Sequence, residues 1–151
     1  MRALCLLRLL ASMSSAKNRM LPLRFPRLWL LLGWSFVILA LLVCLAPAGA
    51  PGLGGLFALN DKVEHAAGYM MLTIWFAGMY PRSRYASIAV ALFVMGVAVE
   101  FLQGWMSVGR NRDAMDVLAN STGIAIGLGL ALTVTDGWVQ RVESLLTLRE
   151  R

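Results

Sequence analysis

Charge is scarce in this chain, and histidine and cysteine are scarcer still. Only 15% of the 151 residues are Asp, Glu, Lys or Arg, against about 25% in an ordinary soluble domain. That shortage excludes a conventional water-facing surface over the whole chain. The two cysteines, Cys5 and Cys44, form no CxxC pair, so no zinc ribbon or dithiol redox centre is expected. His65 is the only histidine. No zinc-finger, RNA-binding signature or long basic helix is present, and nucleic acid is therefore not an expected partner despite the net charge of +6. The first apolar piece, Cys5 to Ala11, is broken by Arg8 and makes a poor signal peptide. No solenoid repeat is visible.

What the chain has in excess is apolar sequence. Hydrophobic residues make up 59%, and the mean hydropathy is +0.70. These values point to an integral membrane protein of one compact domain. Residues 1–26 read as a basic arm, either an interfacial helix or sequence upstream of a later start at Met13 or Met20. Residues 27–135 read as the membrane domain and 136–151 as a tail able to form a short amphipathic helix. A spanning helix takes about 20 residues. Four fit: 28–46, 61–80, 85–106 and 113–135. The expected fold is an all-α bundle of four transmembrane helices. Pro47, Pro51 and four glycines break the chain after the first span. Gly123, Gly127 and Gly129 lie in the fourth, where small residues four apart let helices approach closely.

Orientation follows from the basic residues of short loops. Arg2, Arg8, Lys17, Arg19 and Arg24 in the arm, with Arg82 and Arg84 in the second turn, put both termini on the cytoplasmic side. Residues 47–60 and 107–112 then face outward. Arg110 and Arg112 sit on the disfavoured side, which singles them out.

The few polar residues of the apolar runs gather at that outer side. Asp61, His65, Gly68 and Tyr69 share one helical stripe. Gly96, Glu100 and Gln103 share another, and Asp113, Asp116, Asn120, Gly123 and Gly127 a third. Glu100 lies six residues before Met106, about 9 Å deep. Polar groups in lipid are costly, so such residues are functional candidates. The pattern predicts three helices packed around a polar outer pocket.

Three blocks carry a family likeness. Asp61-Lys62-x-x-His65-x-x-x-Tyr69 is the first and Glu100-x-x-Gln103 the second. The third is Gly109-Arg110 followed by Asp116-x-x-x-Asn120-x-x-Gly123-x-x-x-Gly127. In this order and spacing the chain resembles the VanZ-like family of small bacterial membrane proteins over roughly residues 28–135. Asp113 departs from the pattern, standing where a small hydroxyl residue is expected, and Glu64 stands where an apolar residue is common. The resemblance implies a multi-pass protein of the bacterial inner membrane, linked through the family's namesake to sensitivity to the glycopeptide teicoplanin. It implies a membrane lipid as partner, with a cell-wall precursor or a glycopeptide as the candidate ligand. It names no reaction and no oligomeric state.

Four roles compete for Asp61, Lys62, His65, Glu100, Gln103, Arg110, Asp116 and Asn120. They can form a structural network, with Glu100 paired to Lys62 or Arg110 and with Asn120 and Gln103 bridging helices. They can bind a headgroup, with Lys62 and Arg110 holding phosphate or carboxylate. They can catalyse hydrolysis or transfer at a lipid-linked phosphate. His65 is then the acid or base, oriented by Glu100 or Asp116. That last reading leans on catalytic candidates His65, Glu100 and Asp116 without a recognised phosphatase motif. A metal held by His65, Glu100 and Asp116 fits by ligand type. One histidine among scattered carboxylates is a weak pattern, and neither metal nor cofactor is expected.

Overall fold

The computed structural model describes residues 20–45, 60–106 and 113–148. Within them the chain is helical and carries no strand. Helix α1 is Pro26–Cys44, α2 is Asp61–Met79, α3 is Tyr85–Met106, α4 is Ala114–Thr133 and α5 is Trp138–Leu148. A short 3-10 turn, Arg82–Arg84, joins α2 to α3. The expected 85–106 span matches α3 end for end, and the other three span boundaries differ by two residues or fewer. The 1–19 part of the arm, the 47–59 linker and the 107–112 connector lie outside the described residues, and Arg110 with them.

Local sequence sets the helix ends. Pro26 opens α1, where its missing N–H costs nothing. Asn60 caps α2 by accepting from the Lys62 N–H at 3.0 Å, and Asp61 and Glu64 in the first turn favour the positive end of the helix dipole. Asp113 caps α4 by accepting from the Met115 N–H at 2.8 Å. Gly137, at φ +61°, makes the left-handed turn between α4 and α5.

α2 and α4 are the most intimate pair, with α3 packed on α4 and α1 on α2. Glycine explains the closeness. A Cβ on Gly123 would run into the Ala66 backbone carbonyl, and one on Gly127 would sit 2.7 Å from Thr73 Cβ. Gly129 does not share this role, because its Cβ position faces open space. Two residues beyond Gly127, it has turned to the far side of the helix. The core beneath is Val37, Tyr69, Leu72, Leu92 and Ile124.

The outer surface is apolar on a scale that water would not tolerate. Leu31, Leu42, Val90, Val94 and Trp105 are all more than half exposed, a continuous apolar coat that calls for lipid. α1, the stretch Arg82–Met106 and α4 are each long and apolar enough to cross a membrane. α2 is as long as α1, but its first turns carry Asp61, Lys62, Glu64 and His65. This is a membrane protein with a helical bundle.

Candidate functional site

Three helices bring their polar residues together at the end where α2 and α4 begin and α3 ends. His65 is 4% exposed, Glu100 4%, Asp116 5% and Asn120 1%. Each lies on the buried stripe expected for it. Gly96 makes room beneath them: a Cβ there would sit 3.0 Å from Asn120 Nδ2 and 3.2 Å from the Tyr69 hydroxyl.

The pairing differs from expectation. Lys62 does not meet Glu100. Its ammonium donates to Asp113 Oδ2 at 2.6 Å and to Asp116 Oδ1 at 3.0 Å. The fourth helix begins beside the start of the second, so the carboxylates of its first turn reach Lys62 before that of Glu100 does. Glu100 Oε2 instead accepts the Asp113 backbone N–H at 3.1 Å. Asp113 therefore ties three helices at once, although the motif pattern gave it no role. The signal was present: an Asp just before an apolar helix is a preferred N-cap.

His65 is oriented by an amide, not by a carboxylate. Its Nδ1 lies 3.0 Å from Asn120 Oδ1. An amide oxygen can only accept, so with this placement of the Asn120 amide Nδ1 carries the proton and donates. Nε2 then faces Asp116 Oδ2 at 3.9 Å, beyond hydrogen-bond reach. Glu100 lies within electrostatic range of both His65 and Asp116. The arrangement of His65, Glu100 and Asp116 thus forms one cluster, but not a His–carboxylate dyad.

Gln103 is engaged elsewhere. Its Nε2 donates to the Cys44 carbonyl at 2.7 Å, satisfying one of the acceptors left over at the C-terminal end of α1. Of the residues expected to bind ligand, it is the one whose amide N–H has a clear structural partner on α1. Asp61 is exposed on the first turn of α2, close to His65 and Asp116.

Two polar atoms in the cluster stand out. Glu100 Oε1 and Asn120 Nδ2 are buried with no hydrogen-bond partner among the described residues. An unsatisfied buried polar atom costs about 1–3 kcal/mol. One is an acceptor as a carboxylate and the other a donor, so together they suit a hydroxyl or an amide.

A second polar site occupies the opposite end, and motif reading did not find it. Glu143 on α5 is 7% exposed. Its carboxylate accepts from the Arg24 N–H at 2.6 Å, the Phe25 N–H at 2.9 Å and the Trp29 indole at 2.8 Å. Burial pushes this carboxyl upward, yet those three donors and the Arg24 charge hold it below the ordinary 4.5. Trp29 packs in turn with Trp75 and Trp138, the three ring centroids 5.3–5.5 Å apart. Each indole N–H has a partner: Glu143, the Trp29 carbonyl at 3.2 Å and the Ile74 carbonyl at 3.1 Å. A cavity of about 620 Å³ opens nearby, lined by residues including Tyr80, Arg82, Asp136 and Arg141. Arg82 is paired to Asp136 there at 2.7 Å.

No family model, no curated protein and no solved structure matches the chain. The VanZ-like resemblance rests on the three blocks of residues alone.

Proposed function

We propose that the chain is a VanZ-like protein of the bacterial inner membrane, crossing it four times with both termini cytoplasmic. α2 is the fourth spanning helix, its polar first turns lying at the outer interface. The cluster of His65, Glu100, Asp116 and Asn120 binds the polar headgroup of a lipid-linked or cell-wall molecule, and through it alters sensitivity to glycopeptides such as teicoplanin. One observation supports this above all. A buried acceptor, Glu100 Oε1, and a buried donor, Asn120 Nδ2, both lack a partner among the described residues of the same cluster. Sugar hydroxyls and peptide amides carry the complementary groups. Lys62 contributes less to an anion than its charge suggests, because two carboxylates already hold it.

Catalysis gains less support. His65 is oriented by the Asn120 amide and makes no hydrogen bond to a carboxylate among the described residues, so the His–carboxylate pair on which the hydrolase reading leans is not formed.

The decisive experiment is binding of lipid-linked cell-wall precursors to the full chain in nanodiscs, read by native mass spectrometry. Retention in the wild type and loss in Glu100→Gln and Asn120→Leu, at equal membrane levels, is the expected result. Equal retention by both variants removes the cluster from recognition. Turnover of the lipid in place of retention moves the protein to the enzyme class. In cells, the same variants should abolish any change in teicoplanin sensitivity that the wild type confers.

A further inference from the structure

One geometric feature of the cluster goes beyond headgroup binding. Asp61, His65 and Asp116 each offer one ligand atom, and the three atoms lie within 4.8 Å of one another. Asp61 and His65 are four residues apart on α2 and so share a face. Asp116 comes to them from α4. We propose that these three residues bind a divalent first-row transition-metal ion, of the Mn²⁺, Fe²⁺ or Zn²⁺ kind, at the outer end of the bundle.

Three carboxylates or imidazoles in proximity are not in themselves a site, and His65 supplies the second observation. The ring is 96% buried, being 4% exposed. Its Nδ1 donates to the Asn120 side-chain oxygen at 3.0 Å. That bond occupies Nδ1 and leaves Nε2 facing Asp116 Oδ2 across 3.9 Å, beyond hydrogen-bond reach. A metal-binding histidine is held in this way, with its other nitrogen donating to an oxygen acceptor. Bonds from such ions to imidazole and carboxylate run at about 2.0–2.2 Å. Bonds of that length to both Nε2 and Oδ2 are compatible with their 3.9 Å separation.

The neighbours are consistent with the donor set. Lys62 engages Asp116 through Oδ1 only, which leaves Oδ2 for the ion. One nitrogen and two carboxylate oxygens leave coordination positions open, as in sites that bind water or a further ligand. This mixed set favours the metals named over Mg²⁺, which prefers oxygen alone. Glu100 is not among the three ligands, so the trio differs from the His65, Glu100 and Asp116 set that residue type alone suggests.

The test uses the full chain, stripped of metal, in nanodiscs without added precursor lipid. Mn²⁺ is titrated and followed by EPR, with Co²⁺ absorption as a second probe. The expected result is saturable binding of one ion per chain that survives excess Mg²⁺. Pulsed EPR should show nitrogen hyperfine coupling from one imidazole, absent in His65→Ala. Asp61→Asn, on an exposed turn, keeps the side chain's size and should weaken binding at least about tenfold at a thermal transition close to that of the wild type. Asn120→Leu removes the group behind the ring and should cost about 10- to 100-fold. Lys62→Met removes a competing cation and should tighten binding. Glu64→Gln, a nearby carboxylate outside the trio, should leave it unchanged.

No saturable binding by the wild type overturns the proposal. So does binding without the nitrogen coupling, or equal loss in Glu64→Gln, since either means surface carboxylates only. Headgroup retention measured in EDTA separates this result from the headgroup reading, because each can fail while the other holds.

Discussion

The two ends of this bundle handle buried polarity to different degrees. At the end formed by α1, α5 and the C-terminal part of α2, Glu143 accepts three hydrogen bonds, and three indole N–H groups all find acceptors. At the other end Glu100 and Asn120, in one cluster, each keep one buried atom without a partner among the described residues, whereas the aromatic end has a single such atom, the Thr135 hydroxyl. Polar groups that serve only to hold helices together tend to be fully satisfied, since each orphan weakens the fold. The aromatic end reads as a fastening. The other end, the one proposed as outer, reads as a place where something else completes the bonding.

If that division is right, perturbations should sort by end. The largest effect should come from a change that separates α2 from α4, which both ends depend on. Gly123→Val drives a side chain into the Ala66 backbone carbonyl. It should cost about 3 kcal/mol, the upper part of the overpacking range, and lower folded yield in the membrane sharply. A thermal transition in detergent close to that of the wild type would mean that the close approach is not required.

Glu143→Ala comes next. It strands two backbone donors and an indole, at a cost of about 1–3 kcal/mol. The melting temperature should fall and α5 should become susceptible to protease, while ligand retention at the outer end is unchanged. Loss of that retention would show that the ends are coupled and break the comparison.

The same contact gives a pH signature. The folded Glu143 carboxyl lies below its ordinary 4.5, so its stabilisation is complete above that value and disappears as pH falls through the lower folded value. Tryptophan emission should shift as α5 detaches in that acid window, and Glu143→Gln should flatten the change.

Smallest of all should be the structural effect of Lys62→Met. Lys62 and Asp113 are 40% and 43% exposed at their side chains, so solvent screens that pair, and only the bond to the buried Asp116 contributes appreciably. A large loss of stability there would make the outer cluster a fastening too.

Much of the outer end was legible in the sequence, because helical periodicity reports which residues share a face. Glu100 and Gln103, or Asp116 and Asn120, fall on one stripe by spacing alone, and the apolar runs set the helix ends. Which atoms bond was not legible. Lys62 to Asp113 rather than to Glu100 depends on where the start of α4 docks, and spacing within one helix carries no such information. The aromatic end was less visible for the same reason. Trp29, Trp75 and Trp138 are scattered along the chain with no period, and Glu143 is one charge in a mixed tail. Their assembly is purely tertiary.

The reach of Glu143 has a consequence for how the protein is made. It caps the entry to α1 from 118 positions further along the chain than Phe25. The first spanning helix therefore enters the bilayer with those donors still hydrated. They are satisfied only once the ribosome has passed Glu143, 118 positions beyond Phe25. A stop before Glu143 should do its first damage more than a hundred residues upstream, where α1 begins.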